Sequence, residues 1–472
     1  MSSCNWVKSA GKLESVVLTP FCMMRHDKTR AANLKPLSRP NSFDRTISAR
    51  NFTQMDAPNL LMLLPFTLLL GAMALGPVLA ASWWVRHYTK VSLSLGTLIL
   101  AYYLLGLHAS TRVAHMAHEY ASFIALVGSL FVVSGGIHIN VKGRATPLAN
   151  VAFLFAGAVV ANVLGTTGAA MLLIRPWIRM NQPRVTGYHI AFFIFLVANV
   201  GGSLTPIGDP PLFLGYLQGV PFWWVAKNCW PMWVTGVGIL LVMFYILDRI
   251  NFARVPRPEP NRGPASETWR FSGLTNLFFL AVILGAVFVT RPAGLREALM
   301  IGAALGSYFT TKKSVHEAND FNFHPIQEVA ILFAGIFATM MPALDFIDAH
   351  AGDWLGANPG AGMFFWCSGI LSAVLDNAPT YLGFLSALSG TMGSNDMGQL
   401  LEHHALNLLA ISVGAVFFGA ATYIGNGPNF MVKAVADQQK IRMPTLPGFI
   451  LKFTLPFLLP VLLVVWLVFF RR

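Results

Sequence analysis

The stretch GSLTPIGDPP at residues 202–211 returns as GAATYIGNGP at residues 419–428, and the two share the pattern G-x-x-T-x-I-G-x-x-P. Each stretch interrupts a long apolar segment with glycine and proline, which destabilise the interior of a helix. We therefore predict two broken helices. In an apolar medium, backbone groups that lose their helical partners in such a break must line a cavity or bind a solute.

Two other apolar segments contain small and polar residues near their middles. The segment 147–174 contains GTTG at 165–168, and the segment 360–390 contains DNAPT at 376–380. Interruptions of this kind are typical of a helical hairpin that enters a membrane and returns to the same side. Each predicted hairpin precedes one of the broken helices, so the sequence indicates an internal repeat.

The composition indicates that most of the chain is embedded in a lipid bilayer. Of the 472 residues, 55% are hydrophobic and 11% are charged, and the mean hydropathy is +0.58. Soluble proteins carry about 25% charged residues. We therefore expect the lipid bilayer to be the main partner of the chain. Ten spans are predicted, near residues 57–83, 91–109, 119–139, 187–219, 222–247, 274–290, 296–310, 325–347, 403–436 and 446–470.

The fold class follows from the number of spans in each half. Five is an odd number, so the second half must be inserted upside down relative to the first. The prediction is an all-α polytopic membrane protein with two inverted five-helix repeats, each with a re-entrant helical hairpin and a broken transmembrane helix. The repeats would occupy 55–248 and 274–472, joined by a cytoplasmic linker at 249–273. Residues 1–54 would form a disordered basic extension or reflect a mis-assigned start.

The net charge of +13 has an explanation within this topology. Most Lys and Arg residues fall in the segments on one side, which we assign to the cytoplasm of a bacterial inner membrane. The positive charge therefore indicates how the chain is oriented in the membrane. We expect no nucleic-acid partner. The four cysteines have no paired spacing, and the sequence contains no phosphate-binding G-x-x-x-x-G-K-[ST] motif. We expect neither an enzyme nor a bound cofactor.

The sequence LDNAPT at 375–380 and the two breaks resemble the ion transporter superfamily. This group includes NhaD-type sodium/proton antiporters, ArsB-type arsenite permeases, citrate–metal transporters of the CitMHS type and sodium-coupled dicarboxylate carriers. The resemblance covers nearly all of residues 57–470. It implies a cation site where each hairpin tip meets the neighbouring broken helix. Related folds are often dimers, so a homodimer is compatible with the resemblance.

By this resemblance, the ligands of the transported sodium come from two groups of residues. The first half would supply Asn162, Thr166, Thr167, Asn199, Ser203, Thr205 and Asp209. The second half would supply Asp376, Asn377, Thr380, Thr422, Asn426 and Asn429. The hairpin tips differ, because the first has Gly165-Thr166 where the second has Asp376-Asn377.

Two of these residues, Asp209 and Asp376, are acids in apolar segments, where an unpaired carboxylate costs several kcal/mol. No Lys or Arg lies within a break or a hairpin tip. A cation/proton exchanger needs a carboxylate that binds either ion. We therefore favour a Na⁺(Li⁺)/H⁺ antiporter, with Asp376 as the main exchange carboxylate and Asp209 as a second one. Alternatively, Asp209 only caps the half-helix that follows it.

Two other functions remain open. An H⁺- or Na⁺-coupled carrier of citrate or another small organic anion would bind carboxylates at the half-helix N-termini after Gly208 and Gly425. A membrane-embedded metalloenzyme would use His115, His118 and Glu119, whose spacing places them on one helix face. The first alternative keeps the same site as the antiporter, whereas the second requires a separate one.

Overall fold

The structure, a computed structural model, describes residues 59–142, 145–182, 184–254, 268–355, 359–392 and 396–471. The predicted extension at 1–54 and the middle of the predicted linker lie outside these residues. Helices make up most of the described chain. The prediction of an all-α polytopic membrane protein is confirmed at this level.

The first half of the chain contains long helices and one short strand. Its elements are α1 (Leu64–Leu79), α2 (Ala81–Ala101), α3 (Ser110–Gly135), β1 (His138–Lys142), α4 (Pro147–Asn181), α5 (Gly187–Leu196), α6 (Pro210–Leu217) and α7 (Phe222–Arg254). Short 3-10 helices precede α1 at Leu60–Leu63 and follow α5 at Val200–Leu204. A π-helix at Tyr102–Gly106 extends α2.

The second half begins with a strand and ends with a composite helix. Its elements are β2 (Thr268–Ser272), α8 (Asn276–Ala286), α9 (Leu295–Thr310), α10 (Lys313–Ala318), α11 (His324–Leu355), α12 (Ala361–Val374), α13 (Asn377–Met392), α14 (Met397–His403), α15 (Ala405–Gly419), α16 (Gly427–Gln438), α17 (Leu446–Phe449) and α18 (Leu459–Val465). π-helices at Ile450–Leu458 and Trp466–Phe470 continue α17 and α18. Strands β1 and β2 pair antiparallel, with Asn140 opposite Arg270.

Within the described residues, eight helices are long and apolar enough to cross a membrane, or nine if the bent pair α14 and α15 forms one span. One of the eight is α4, the segment predicted as a hairpin. The sequence predicted ten spans. If α4 is left out and the bent pair is counted as one span, eight of the ten predicted spans are present. The other two correspond to α8 and α9, which have 11 and 16 residues. About 20 helical residues are needed to cross the hydrocarbon core, so these two are short for a span.

The helix α4 folds back on itself at Gly165, as predicted for the first hairpin. Gly165 has φ +72°, a left-handed value that glycine adopts at little cost. The side chains of Asn150 and Asn181 exchange hydrogen bonds of 2.7 and 3.1 Å. In a straight helix these residues would lie roughly 45 Å apart. The two arms of α4 therefore lie side by side.

The second predicted hairpin is formed by α12 and α13, which are separated by Leu375 and Asp376. The rings of Phe364 and Phe384, one from each arm, have centroids 6.4 Å apart. A straight helix would separate these positions by roughly 30 Å. The chain therefore reverses direction at this predicted tip as it does at the first, and the re-entrant placement of the two hairpins in a membrane stays a prediction.

Both predicted helix breaks are present, and the glycines of their shared pattern explain their shape. The first break separates α5 from α6, and the second separates α15 from α16. A Cβ atom on Gly208 would lie 2.0 Å from the carbonyl oxygen of Gly202. A Cβ atom on Gly425 would lie 2.7 Å from the carbonyl oxygen of Gly419. In each break the backbone therefore closes on itself at a distance that only glycine allows.

The two broken helices lie inside the bundle. In α5 every residue from His189 to Leu196 is buried, and in α15 every residue from Asn407 to Gly419 is buried. By contrast, many large apolar residues of α1 and α2 are exposed, among them Leu68, Leu75 and Val85. A helix that is apolar on all sides and buried belongs to a core, whereas exposed apolar helices suit contact with lipid.

A buried polar cluster closes the base of the first hairpin, and the sequence analysis did not identify it. Asp248 in α7 accepts hydrogen bonds from the Asn150 amide at 2.8 Å and from the Tyr188 hydroxyl at 2.9 Å. It also accepts from both terminal nitrogens of Arg184, and Nε2 of His189 lies 3.1 Å away. Because loss of one partner would leave a buried charge uncompensated, this cluster fixes the hairpin base relative to α7.

We expect Gly208→Ala to destabilise the protein, because the new methyl group would collide with the backbone of Gly202. Overpacking of this kind costs roughly 1–3 kcal/mol. The matched control is Gly238→Ala in α7, where an added Cβ meets no atom within 4 Å. Thermal unfolding of the purified variants in detergent measures the effect. Equal melting temperatures for the two variants would contradict the close approach in the break.

Candidate functional site

One fully buried carboxylate, that of Asp209, lies where both hairpins and both broken helices meet. Its Oδ1 accepts hydrogen bonds from the Thr166 hydroxyl at 2.7 Å and from the Asn426 amide at 3.0 Å. Its Oδ2 accepts a hydrogen bond from the Asn377 amide at 2.6 Å. Thr166 and Asn377 belong to the two hairpin tips, and Asn426 to the second break. Asp209 thus connects four elements.

The surroundings of Asp209 offset the cost of burying a carboxylate. Hydrogen bonds to charged groups contribute about 1.5–3 kcal/mol each, whereas burial of an ion costs several kcal/mol. A carboxylate has about four acceptor positions, and three of them are used by described residues. One position remains for a proton or a cation. Asp209 stands at the N-cap of α6 but makes no capping bond, so the capping interpretation is wrong.

Asparagine side chains join the two breaks directly. The Asn199 amide donates to Oδ1 of Asn429 at 2.7 Å, and the Asn426 amide lies 3.1 Å from Oδ1 of Asn199. The Asn429 amide also donates to the carbonyl oxygens of Gly419 and Thr422, both at 2.8 Å. Asn199 and Asn429, which the resemblance assigned to two separate sites, therefore belong to one network with Asn426 and Asp209.

The threonine of the shared pattern ties each hairpin to its own break in the same way. The hydroxyl of Thr205 donates to the carbonyl oxygen of Asn162 at 2.6 Å, and that of Thr422 donates to the carbonyl oxygen of Ala373 at 2.6 Å. Each hydroxyl also accepts from the N–H group of the glycine three residues later, at 3.1 and 3.0 Å. The pattern therefore encodes one local geometry twice.

The remaining candidate residues of the first half contribute unequally. The Asn162 amide donates to the carbonyl oxygen of Gly201 at 2.6 Å, and its Oδ1 accepts from the N–H of Leu204 at 2.8 Å. Asn162 therefore fixes the hairpin tip against the break. The Ser203 hydroxyl bonds back to its own 3-10 turn at 3.0 Å, outside the network around Asp209.

A small cavity of about 20 Å³ lies beside the first hairpin tip. Thr166, Thr167 and Asp209 line it, together with apolar residues such as Leu126 and Phe213. A cavity of about 10–15 Å³ already accommodates one water molecule. Hydroxyl and carboxylate oxygens are the ligands that hard cations prefer. The cavity therefore suits a single small cation or water next to Asp209.

At the second hairpin tip, Oδ1 of Asn377 is buried and has no hydrogen-bond partner among the described residues. Buried polar atoms are rarely left unpaired in folded proteins. The amide nitrogen of the same side chain binds Asp209, so this oxygen lies in the same network. It is a second position at which a proton donor or a cation completes the network.

Asp376 and Thr380 are the other candidates of this tip, and both make hydrogen bonds within the second hairpin. Oδ1 of Asp376 accepts from the N–H of Ala378 at 3.0 Å and so caps α13. The Thr380 hydroxyl donates to the carbonyl oxygen of Asp376 at 3.0 Å. Asp376 is partly buried and borders a large cavity. Its role as the main exchange carboxylate stays a prediction.

The large cavity has a volume of about 540 Å³. Its lining comes from α1, α2, the end of α3, the second arm of the first hairpin, α11, the second hairpin tip and α16, and it includes Asn426 and Gly427 at the start of α16. The acids Asp376 and Glu328 also line it, and so does Arg175. The cavity therefore offers groups of both charge signs to a solute, beside the network of Asp209.

The sequence analysis missed Arg175. The predicted hairpin segment ended at residue 174, whereas α4 continues to Asn181, so Arg175 lies in the second hairpin arm and not in a loop. No Lys or Arg lies within a break or a hairpin tip, and Arg175 reaches the cavity from two helical turns beyond the first tip. A basic residue immediately after an apolar segment is the signal that could have found it.

The structure gives no support to the metalloenzyme alternative. Within the described residues, no group of three His, Cys, Asp or Glu side chains is arranged to hold a metal ion. Glu119 instead accepts a hydrogen bond from the Gln218 amide at 2.6 Å and pairs with His115 at 3.2 Å. This cluster connects α3 to the end of α6.

Comparison with known proteins identifies the family. The model of the CitMHS_2 family, described as "Putative citrate transport", matches residues 55–470. None of the curated proteins matches the chain in sequence. The match covers nearly the whole described chain, and the predicted resemblance to CitMHS-type citrate transporters is confirmed. The chain therefore belongs to the CitMHS_2 family, a family of transport proteins.

Proposed function

We propose that this protein is a secondary transporter that carries citrate or another small organic anion together with a cation or proton. The observation that carries the proposal is the large cavity, which offers both charge signs to a solute. Arg175 and the N-terminal end of α16 attract an anion, because N–H groups and the helix dipole make that end positive. Asp376 and Glu328 attract the accompanying cation or proton.

The size of the cavity supports an organic substrate. Sites for small molecules commonly have volumes of about 300–1,000 Å³, and a volume of about 540 Å³ falls within this range. A single metal ion needs only a few oxygen ligands at short distance, as the small cavity beside Thr166 could supply. The two cavities together suit a carrier that binds a solute and a separate coupling ion.

The network of Asp209 supplies a route for coupling. A proton or sodium ion at its free acceptor position would change the charge at the meeting point of both hairpins and both breaks. A ligand shifts a conformational equilibrium only if it binds one conformation more tightly than the other. An ion bound to Asp209 contacts all the elements that would move, so its affinity can differ between the conformations. We place the ion-binding role on Asp209, with Thr166, Asn377 and Asn426 as its partners.

The proposed architecture is that of two inverted repeats in a bacterial inner membrane. It is supported by the matched contacts of Thr205 and Thr422 and by the distribution of Lys and Arg residues. The hairpins and broken helices would move as a unit against the other spans. This movement would alternately open the site toward the two sides of the membrane.

A second candidate function is Na⁺(Li⁺)/H⁺ antiport. The specific observation in its favour is that Asp209 is fully buried and bonded only to neutral side chains among the described residues. Such a carboxylate can alternate between a proton and a sodium ion. In this function Asp376, at the wall of the large cavity, would be the main exchange carboxylate and Asp209 the second one, as the sequence analysis predicts.

We expect proteoliposomes that contain the protein to take up labelled citrate when a proton or sodium gradient is imposed. Asp209→Asn should lower the uptake rate about tenfold or more, since it removes the charge that the network surrounds. Asp353→Asn, a matched change at an exposed position in α11, should leave uptake unchanged. Parallel measurements with and without Mg²⁺ show whether citrate travels free or with a divalent cation.

A second variant guards against loss of folding. Thr166→Val keeps the shape of the side chain and removes one hydrogen bond to Asp209, so it should reduce uptake while the protein stays monodisperse in size-exclusion chromatography. Absence of citrate uptake by the wild-type protein under every gradient would contradict citrate as the substrate.

The antiport candidate is tested in everted vesicles from cells that lack their own antiporters. Energised vesicles quench a pH-sensitive dye, and antiport releases the quenching when Na⁺ or Li⁺ is added. If the protein is an antiporter, Asp376→Asn should abolish the release, because the variant cannot exchange a proton for a cation. Asp353→Asn is again the control. No response of the wild-type vesicles to either ion would remove this candidate.

A further inference from the structure

We propose that Arg175 recognises a carboxylate of the substrate in the large cavity, and that Asp320 is a built-in competitor for it. The inference rests on the proposed transport of an organic anion and names the residue that selects it. Asp320 would pair with Arg175 in the unloaded protein and release it when a substrate carboxylate arrives.

Arg175 is placed to bind an anion. It lies in the second arm of the first hairpin, and Met171 and Leu172, one turn earlier on the same helix face, line the cavity with it. The side chain is 18% exposed. A guanidinium group carries five N–H donors in a planar fork that matches the two oxygens of a carboxylate. Arg175 therefore brings a strong carboxylate ligand to the wall of the cavity.

The donors of Arg175 are almost unused. Among the described residues, its one ion pair joins Nε to Oδ2 of Asp320 at 3.5 Å, and none of its nitrogens makes a hydrogen bond. A distance of 3.5 Å is longer than that of a charge-assisted hydrogen bond, which is about 2.7–2.9 Å. Asp320 therefore neutralises part of the charge and leaves the fork free for a second, better-fitting carboxylate.

Asp320 is held at the cavity by its neighbour in the loop between α10 and α11. The Asn319 amide donates to the carbonyl oxygens of Gly135 and Ile137, both at 2.8 Å, and its Oδ1 lies 2.7 Å from Nδ1 of His138. These bonds fix the loop to the end of α3. The backbone of Asp320 itself has φ +46°, in the left-handed region that few residues other than glycine adopt.

The exposure of the two partners indicates which contact is weaker. The side chain of Asp320 is 77% exposed, so water and salt screen its attraction to Arg175. A substrate carboxylate inside the cavity would meet Arg175 with less screening and with both oxygens. The substrate therefore gains more from Arg175 than Asp320 does, and displacement is favourable. Glu328 and Asp376 line the same cavity, so further carboxylates would need protons or cations to accompany them.

The first test measures binding of citrate to the full-length protein in lipid nanodiscs. We expect Arg175→Gln to raise the Kd for citrate about tenfold or more, since a charge-assisted pair is lost. Arg175→Lys should give an intermediate Kd, because it keeps the charge and loses the fork. The matched control is Arg179→Gln, one turn further along the same arm and exposed, which should bind as the wild type does.

The second test addresses the competitor. Asp320→Asn should lower the Kd for citrate about two- to fivefold, in keeping with the modest strength of an exposed ion pair. The matched control is Glu317→Gln in α10, which removes an acid that is 65% exposed and pairs with Lys313. In the Arg175→Gln background, Asp320→Asn should leave the Kd for citrate unchanged, because Asp320 and citrate no longer compete for Arg175.

The outcomes separate this inference from the proposed function. Equal citrate affinity of Arg175→Gln and Arg179→Gln would overturn it, and so would a gain from Asp320→Asn that persists without Arg175. Failure of the wild type to bind citrate would overturn it as well. Arg175-dependent binding without citrate uptake by proteoliposomes would support the inference and contradict the proposed transport.

Discussion

The structure depends on one constraint, which is that a carboxylate removed from water must find its partners inside the protein. For Asp209 these partners come from both hairpin tips and from the second break. None of these elements could shift alone without leaving the carboxylate short of a donor. The position of each hairpin is therefore defined relative to the other through a single side chain, and a change in the charge of that side chain affects all four elements together.

The same constraint explains the backbone of the breaks. Carbonyl and amide groups released from a helix need partners, and the shared pattern supplies them from nearby in space. Thr205 and Thr422 bind a hairpin carbonyl and a glycine N–H at once. The glycines allow the backbone to approach itself so closely that these bonds can form. Threonine and glycine therefore recur in the pattern because threonine supplies the hydrogen bonds and glycine allows the close approach of the backbone.

Local features of the sequence were sufficient to predict the hairpins and the breaks, because glycine and proline act on the backbone where they stand. The residues that surround Asp209 were selected through the resemblance to the ion transporter superfamily, and Thr166, Asn377 and Asn426 are among them. The relative roles of Asp209 and Asp376 could not be predicted, since both lie at a helix interruption and only the long-range contacts of Asp209 with Thr166, Asn377 and Asn426 set the two acids apart. Arg175 was missed because its place at the cavity depends on how the hairpin arm packs.

Asp209 and Asn426 occupy the same position in the two copies of the pattern, and their side chains are hydrogen-bonded to each other. Aspartate and asparagine have nearly the same shape but differ in charge. Two aspartates at this separation could not both be ionised, and two asparagines would carry no charge. The two positions of the shared pattern therefore match in side-chain shape and differ in charge. Any substitution that made the two copies identical would either remove the charge or double it.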